Sequence, residues 1–296
     1  VMRYLFIVLF IVGQVSLSYA FDLGGFIKKN IPDQPDKKEQ SSKSKETKQP
    51  SISALTGMVG GTPVEEEIAI GKEISGRLLG ASPLVEDDKL QRYVNKVGKL
   101  LAMQSGRSDI DWYFGVIESD DINAFAAPGG YIFIARGLYL KFNNEAELAG
   151  VLAHEIGHVI KKHHLKLLKK GQAIDAGRGF LSSKLGEGDG GSEAIKKMLG
   201  SGAEILARGL DKNAEYEADR IGVVVSTRAG YDSYGLPTVL QEIGHVSDDD
   251  SSVELLFKTH PHPDARLTEL EDAMRDRFDK YDDGKILEAR FYKIKK

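Results

Sequence analysis

The chain has 296 residues, no cysteine and a formal net charge of −4. Without cysteine it has no disulfide, no thiol nucleophile, no cysteine-held metal and no cysteine-linked lipid. The mildly acidic balance leaves no footprint for nucleic acid, and the length suffices for one domain with a sizeable core.

At the N-terminal end, Arg3 precedes a short apolar run from Tyr4 to Leu17, followed by the small-residue sequence Ser18-Tyr19-Ala20. Residues 1–20 therefore read as a cleavable export signal, since the run is shorter than the ~20 residues of a membrane-spanning helix. The alternative is an uncleaved segment that anchors the protein, so membrane contact is compatible with the sequence without being required. Export without cysteine fits a bacterial periplasm. Residues 21–62 are expected to form a flexible linker. Within it, residues 28–50 are Lys, Ser, Gln, Glu and Pro with almost nothing to bury. The folded domain is expected over residues 63–296.

Apolar spacing predicts helices over Val64–Leu79 and Asp87–Met103. The β-branched and aromatic run from Ile110 to Ile117 predicts a strand, and Pro128-Gly129-Gly130 introduces a second over Tyr131–Ala135. A long helix should follow from about Glu145, capped by Asn143 or Asn144, with Lys161, Lys162, Lys169 and Lys170 toward its end. Residues 171–212 are Gly-rich, with a loosely held helix expected over Ile195–Leu206; the segment reads either as a surface insertion or as a lid. Further helices are expected over Ala214–Arg228, Leu236–Val246 and Pro263–Phe278. The fold class is α+β, mainly helical, with a small sheet beside one central helix.

That helix carries His154-Glu155-Ile156-Gly157-His158. Residues four apart share a helix face, so His154 and His158 can reach one metal while Glu155 stands over a bound water as general base. Neutral imidazoles suit Zn²⁺, and a catalytic site needs a third protein ligand and an open position. His164 has the spacing for that third place, but only if the backbone turns near Lys161. No residue there favours positive φ, so a continuing helix should carry His164 away. The better candidate is Glu215, with Asp219 one turn later to accept a hydrogen bond from a ligand histidine.

These motifs resemble those of the M48 metallopeptidases, the Ste24/Oma1-like zincins. Besides Leu152–Val159 and Glu215–Asp219, the resemblance rests on Asn123–Ile132 and on Thr259-His260-Pro261 followed by Arg266, covering roughly residues 63–275 in order. Ala127 departs from the more usual Leu. The resemblance implies a zincin-like domain with one Zn²⁺ per chain, and an endopeptidase acting on unfolded or misassembled envelope polypeptides, with outer-membrane assembly machinery among its partners. It also makes His260 and Arg266 candidates for stabilising the oxyanion. The strand Tyr131, Ile132, Phe133 and Ile134 is expected at a sheet edge, binding extended substrate through its backbone. The Pro-bounded pair His260 and His262 could offer an imidazole to the open metal position and so regulate the site. Two readings compete with this one. A non-catalytic chaperone or assembly factor would keep zinc for structure, with no use for Glu155 as a base. A helical binding protein with a coincidental motif would bind no metal.

Overall fold

Residues 61–170, 209–247, 250–260, 263–281 and 283–295 are described by a computed structural model. The expected export signal, nearly all of the expected linker, His262 and most of the Gly-rich segment, including the helix expected over Ile195–Leu206, lie outside the described residues.

Two helices, α1 (Val64–Ala81) and α2 (Asp88–Ala102), precede the sheet. Asp87 starts α2 by accepting from the Lys89 and Leu90 amides, satisfying donors that the first helical turn leaves free. The sheet has three strands: β1 (Tyr113–Ile117), β2 (Ala124–Ala127) and β3 (Tyr131–Ala135). Their order is β1-β3-β2, with β1 parallel to β3 and β2 antiparallel to it. The β2–β3 turn needs Gly129 and Gly130, both at positive φ (75° and 94°). A Cβ on Gly130 would stand 2.4 Å from the Asp111 carbonyl oxygen.

This order corrects the expectation for Tyr131–Ile134. Strand β3 is central, hydrogen-bonded along both sides, and both its faces are covered. Ile132 and Ile134 pack into the core formed with α2 and the central helix, whereas Tyr131, Phe133 and Ala135 pack with Ile74, Leu78, Leu165 and Leu168. The edge strand nearer the central helix is β2, whose Ala-rich sequence carries little β signal.

After the short helix α3 (Arg136–Tyr139) comes the central helix α4 (Glu145–Lys161), buried on every side from Glu145 to Val159. Asn144 caps it, accepting from the Glu147 amide at 3.0 Å while the Glu147 carboxylate accepts from the Asn143 amide and the Asn144 side chain. Its first residue, Glu145, is buried and accepts hydrogen bonds from Tyr93, Tyr231 and Arg290, which ties α4 to both ends of the domain. The helix does not run on to Lys170. It stops at Lys162, which adopts a left-handed conformation (φ 56°, ψ 38°), and a new helical run covers residues 163–170.

Helix α5 (Lys212–Arg228), capped by Asp211, crosses α4 closely. A Cβ on Gly222 would lie 2.9 Å from the His154 amide nitrogen, and one on Gly157 would lie 3.1 Å from Ala218 Cα. Helices α6 (Gly235–Gly244), α7 (Glu254–Thr259), α8 (Pro263–Met274) and α9 (Glu288–Tyr292) complete the domain. The helix expected up to Phe278 ends at Met274, and Arg275 (φ 41°) opens a 3₁₀ turn over Arg275–Tyr281.

Candidate metal centre

The α4–α5 crossing and the end of α7 put four buried side chains around one point. His154, His158, Glu215 and His260 each offer a ligand atom, and those atoms lie within 4.8 Å of one another. His154 Nε2 and His158 Nε2 are 2.9 Å apart, and Glu215 Oε1 is 3.4 Å from His158 Nε2.

Hydrogen bonds on the far side of each ring decide what those inner atoms can do. His154 Nδ1 lies 2.8 Å from Asp219 Oδ1, and His158 Nδ1 lies 2.9 Å from His163 Nδ1. A proton on each Nδ1 satisfies both contacts and leaves both Nε2 atoms as bare lone pairs facing each other and a carboxylate. Glu215 Oε1 and Glu155 Oε2 are buried with no hydrogen-bond partner among the described residues. Converging acceptors without a donor are costly in a buried site, and a cation relieves all of them together. Two imidazoles and a carboxylate are the donor set of a catalytic zinc site, so these residues fit that ion.

The charges around the centre are arranged accordingly. Burial would raise Asp219, but Arg266 and His154 outweigh it and hold its carboxyl well below the usual carboxylate range. Burial opposes ionisation of Glu215 too, and His260, His158 and Arg266 reverse the effect. Burial pushes His158 well below its ordinary value, toward the neutral form that binds metal. For Glu155, burial outweighs the opposing attraction of His154, His260 and Arg266 and pushes its carboxyl up.

The histidines beyond the motif fall in three places. His260, at the C-terminal cap of α7, is within the group, its Nδ1 2.7 Å from Glu215 Oε2. Burial would lower it, but Glu215 wins and raises it. His164 is buried, its ring centroid 5.6 Å from that of His158, yet it is outside the four-residue group; burial pushes it down to about 4. The expectation that nothing near Lys161 lets the chain turn is therefore wrong. Lys162 makes the turn, with its Nζ held 2.7 Å from Glu67, and His164 stays near the site but outside the four-residue group. Sequence reasoning missed His163, which the same turn folds back onto His158.

Arg266 is buried and donates to Asp219, with Nε 2.8 Å from Oδ2 and Nη2 2.5 Å from Oδ1, while the same Nη2 lies 3.3 Å from His154 Nδ1. Its Nη1 is 3.6 Å from Glu215 Oε2. This geometry holds α8 against α5 and fixes the carboxylate behind His154. A mostly apolar cavity opens beside the centre, with Ala124 of β2, His154, Glu155, His260 and Arg266 among its walls.

Residues 88–274 match the sequence profile of Peptidase family M48. The beta-barrel assembly-enhancing protease of Yersinia pestis is 32% identical over 211 residues, covering 70% of this chain and 43% of that protein. The Escherichia coli K12 protein of the same name is 30% identical over 220 residues, covering 71% and 45%. The mitochondrial metalloendopeptidase OMA1 of Schizosaccharomyces pombe is 27% identical over 180 residues, covering 61% and 52%. The chain thus spans a little under half the length of the beta-barrel assembly-enhancing proteases it matches.

Proposed function

The chain belongs to peptidase family M48, and we propose that it is a zinc endopeptidase hydrolysing peptide bonds in unfolded or misassembled envelope proteins. The observation that carries this reading is the pair of His154 and His158 Nε2 atoms, 2.9 Å apart, converging with Glu215 beside Glu155, whose buried Oε2 has no hydrogen-bond partner among the described residues. His154, His158 and Glu215 would hold the metal, and Asp219, clamped by Arg266, would orient His154. Bound zinc supplies a Lewis acid that polarises the scissile carbonyl and makes water acidic enough to react near neutral pH. Glu155 takes the proton of the attacking water and returns it to the leaving amine, a role its burial-raised basicity suits. A site kept only for structure has no use for a buried carboxylate at this position.

Extended substrate would align along β2 rather than β3. Strand β2 has a strand neighbour on one side only among the described residues, and Ala124 borders the same cavity as Glu155. Pairing through backbone makes little demand on sequence, which suits unfolded clients. The Yersinia and Escherichia relatives are named for enhancing beta-barrel assembly, which supports β-barrel proteins as clients and contact with their assembly machinery; the short apolar run from Tyr4 to Leu17 supports a periplasmic location. No helix among the described residues is long and apolar enough to cross a membrane. The test is cleavage of an unfolded reporter protein by wild type and Glu155→Gln, with zinc content measured for both. Cleavage by wild type alone, with zinc in both, supports the enzyme. Zinc without cleavage in either points to the structural role, and a zinc-free wild type overturns the reading altogether.

A further inference from the structure

A straight helix would place residue 163 about 140° around the axis from His158, beyond its reach. The left-handed residue Lys162 ends α4 and reverses the chain, so that His163 returns under the ring of His158. His163 is buried, its ring centroid 5.1 Å from that of His158 at an interplanar angle of 71°. Its Nδ1 stands 2.9 Å from His158 Nδ1, and its Nε2 stands 3.1 Å from Glu217 Oε2 on α5. Glu217 is half-exposed and also holds Lys161 Nζ at 2.6 Å.

With both rings neutral, these contacts admit one consistent assignment of protons. Two Nδ1 atoms in contact need one donor and one acceptor. Glu217, as a carboxylate, accepts only, so His163 carries its proton on Nε2 and leaves Nδ1 as a lone pair. His158 must then carry its proton on Nδ1, which bares Nε2 toward Glu215 and His154. We infer that His163 and Glu217 are positioning residues that fix His158 in the tautomer and orientation needed to bind zinc through Nε2. The inference rests on His158 being a ligand. The two ligand histidines are thus supported differently: His154 by Asp219 directly, His158 through a second imidazole that extends the reach of a carboxylate at the domain surface.

The experiment is competition for zinc between the 296-residue chain and a chromophoric chelator, with far-UV circular dichroism to check each variant's fold. His158→Ala tests the underlying reading; if it leaves zinc affinity intact, that reading fails and the relay fails with it. Given its loss, His163→Ala should raise the zinc Kd roughly 10–100-fold, as removal of outer-shell partners does elsewhere. His163→Asn keeps an acceptor near the Nδ1 position and should recover most of that loss. Glu217→Gln, one step further out, should weaken binding by roughly tenfold at most. Combined with His163→Ala it should add nothing, because the two act through one chain of bonds. A His163→Ala variant that binds zinc within twofold of wild type overturns the inference. So does a His163→Asn variant as weak as the alanine one, or full additivity between His163→Ala and Glu217→Gln. If His163→Ala does not fold, the affinities of His163→Asn and Glu217→Gln decide.

Discussion

The four groups that meet at the centre are equally buried but very differently anchored. His154, His158 and Glu215 sit within α4 and α5, two seventeen-residue helices that touch backbone to backbone at Gly157 and Gly222. Each histidine has its outer nitrogen occupied, and α4 is pinned at its start by Glu145. His260 closes a six-residue helix, in extended conformation, and its ring meets the others through Glu215 Oε2. Moving one of the first three requires repacking the core, whereas moving His260 requires a change at one end of α7. Low exposure does not distinguish a permanent ligand from a removable one; the length and packing of the element beneath it does.

The comparison breaks first if the anchored groups do not carry the chemistry. Glu155→Gln should reduce cleavage of an unfolded reporter by roughly 10²–10⁴-fold while zinc content stays near wild type, since the residue acts on a proton and not on the metal. Activity within tenfold of wild type would remove Glu155 from the mechanism.

The next effect separates carboxylates two positions apart on α5. Glu215→Ala should weaken zinc binding by more than the roughly 10–100-fold typical of an outer partner, and preparations should lose metal on dialysis. Glu217→Ala and His164→Ala should both keep one zinc per chain. Equal metal loss from Glu215→Ala and Glu217→Ala would place the α5 register wrongly. Loss from His164→Ala would restore the third-histidine arrangement.

What was legible in the sequence follows the range of the interactions involved. The spacing of His154, Glu155 and His158 is local and depends only on helical periodicity, and so is that of Glu215 and Asp219. Strand β3 is legible as a strand from its β-branched and aromatic residues and the glycine turn before it. Its place between β1 and β2 is not, because strand order depends on a partner whose Ala-Phe-Ala-Ala sequence hardly announces itself. The positive φ of Lys162 and Arg275 is equally hidden: neither is glycine, and the turn at Lys162 goes with the tertiary pairing to Glu67. That one turn conceals His163 from any reading that continues the helix. Helices α7 and α9, of six and five residues, are too short to show a period.

A third prediction addresses the crossing itself. Gly222→Val introduces a branched side chain where even a Cβ comes within 2.9 Å of backbone. It should destabilise the domain by about 1–3 kcal/mol, read as a lower urea midpoint. Because the spacing of α4 and α5 sets the ligand positions, zinc affinity should fall with it. Unchanged stability and affinity would mean that the helices separate at little cost, and that the clasp is no more rigid than the α7 end.

The smallest effect tests the removable group and has a sign that decides between two roles. If His260 occupies the open metal position, it competes with the catalytic water, and the protein rests partly in an inactive state. A state populated to between roughly one half and nine tenths, once abolished, raises basal activity about twofold to tenfold. His260→Ala should therefore cleave an unfolded reporter faster than wild type while binding zinc somewhat more weakly, because one imidazole has gone. Those opposite movements are hard to produce any other way. A residue that stabilises the transition state gives slower cleavage with zinc retained, and a residue that only tethers α7 gives lower stability with both properties falling. His262→Ala serves as the neighbouring control and should stay near wild type in zinc affinity and rate. A His260→Ala enzyme slower than wild type at full zinc occupancy would make His260 part of the reaction, and its place at the end of a short helix would then have nothing to do with release.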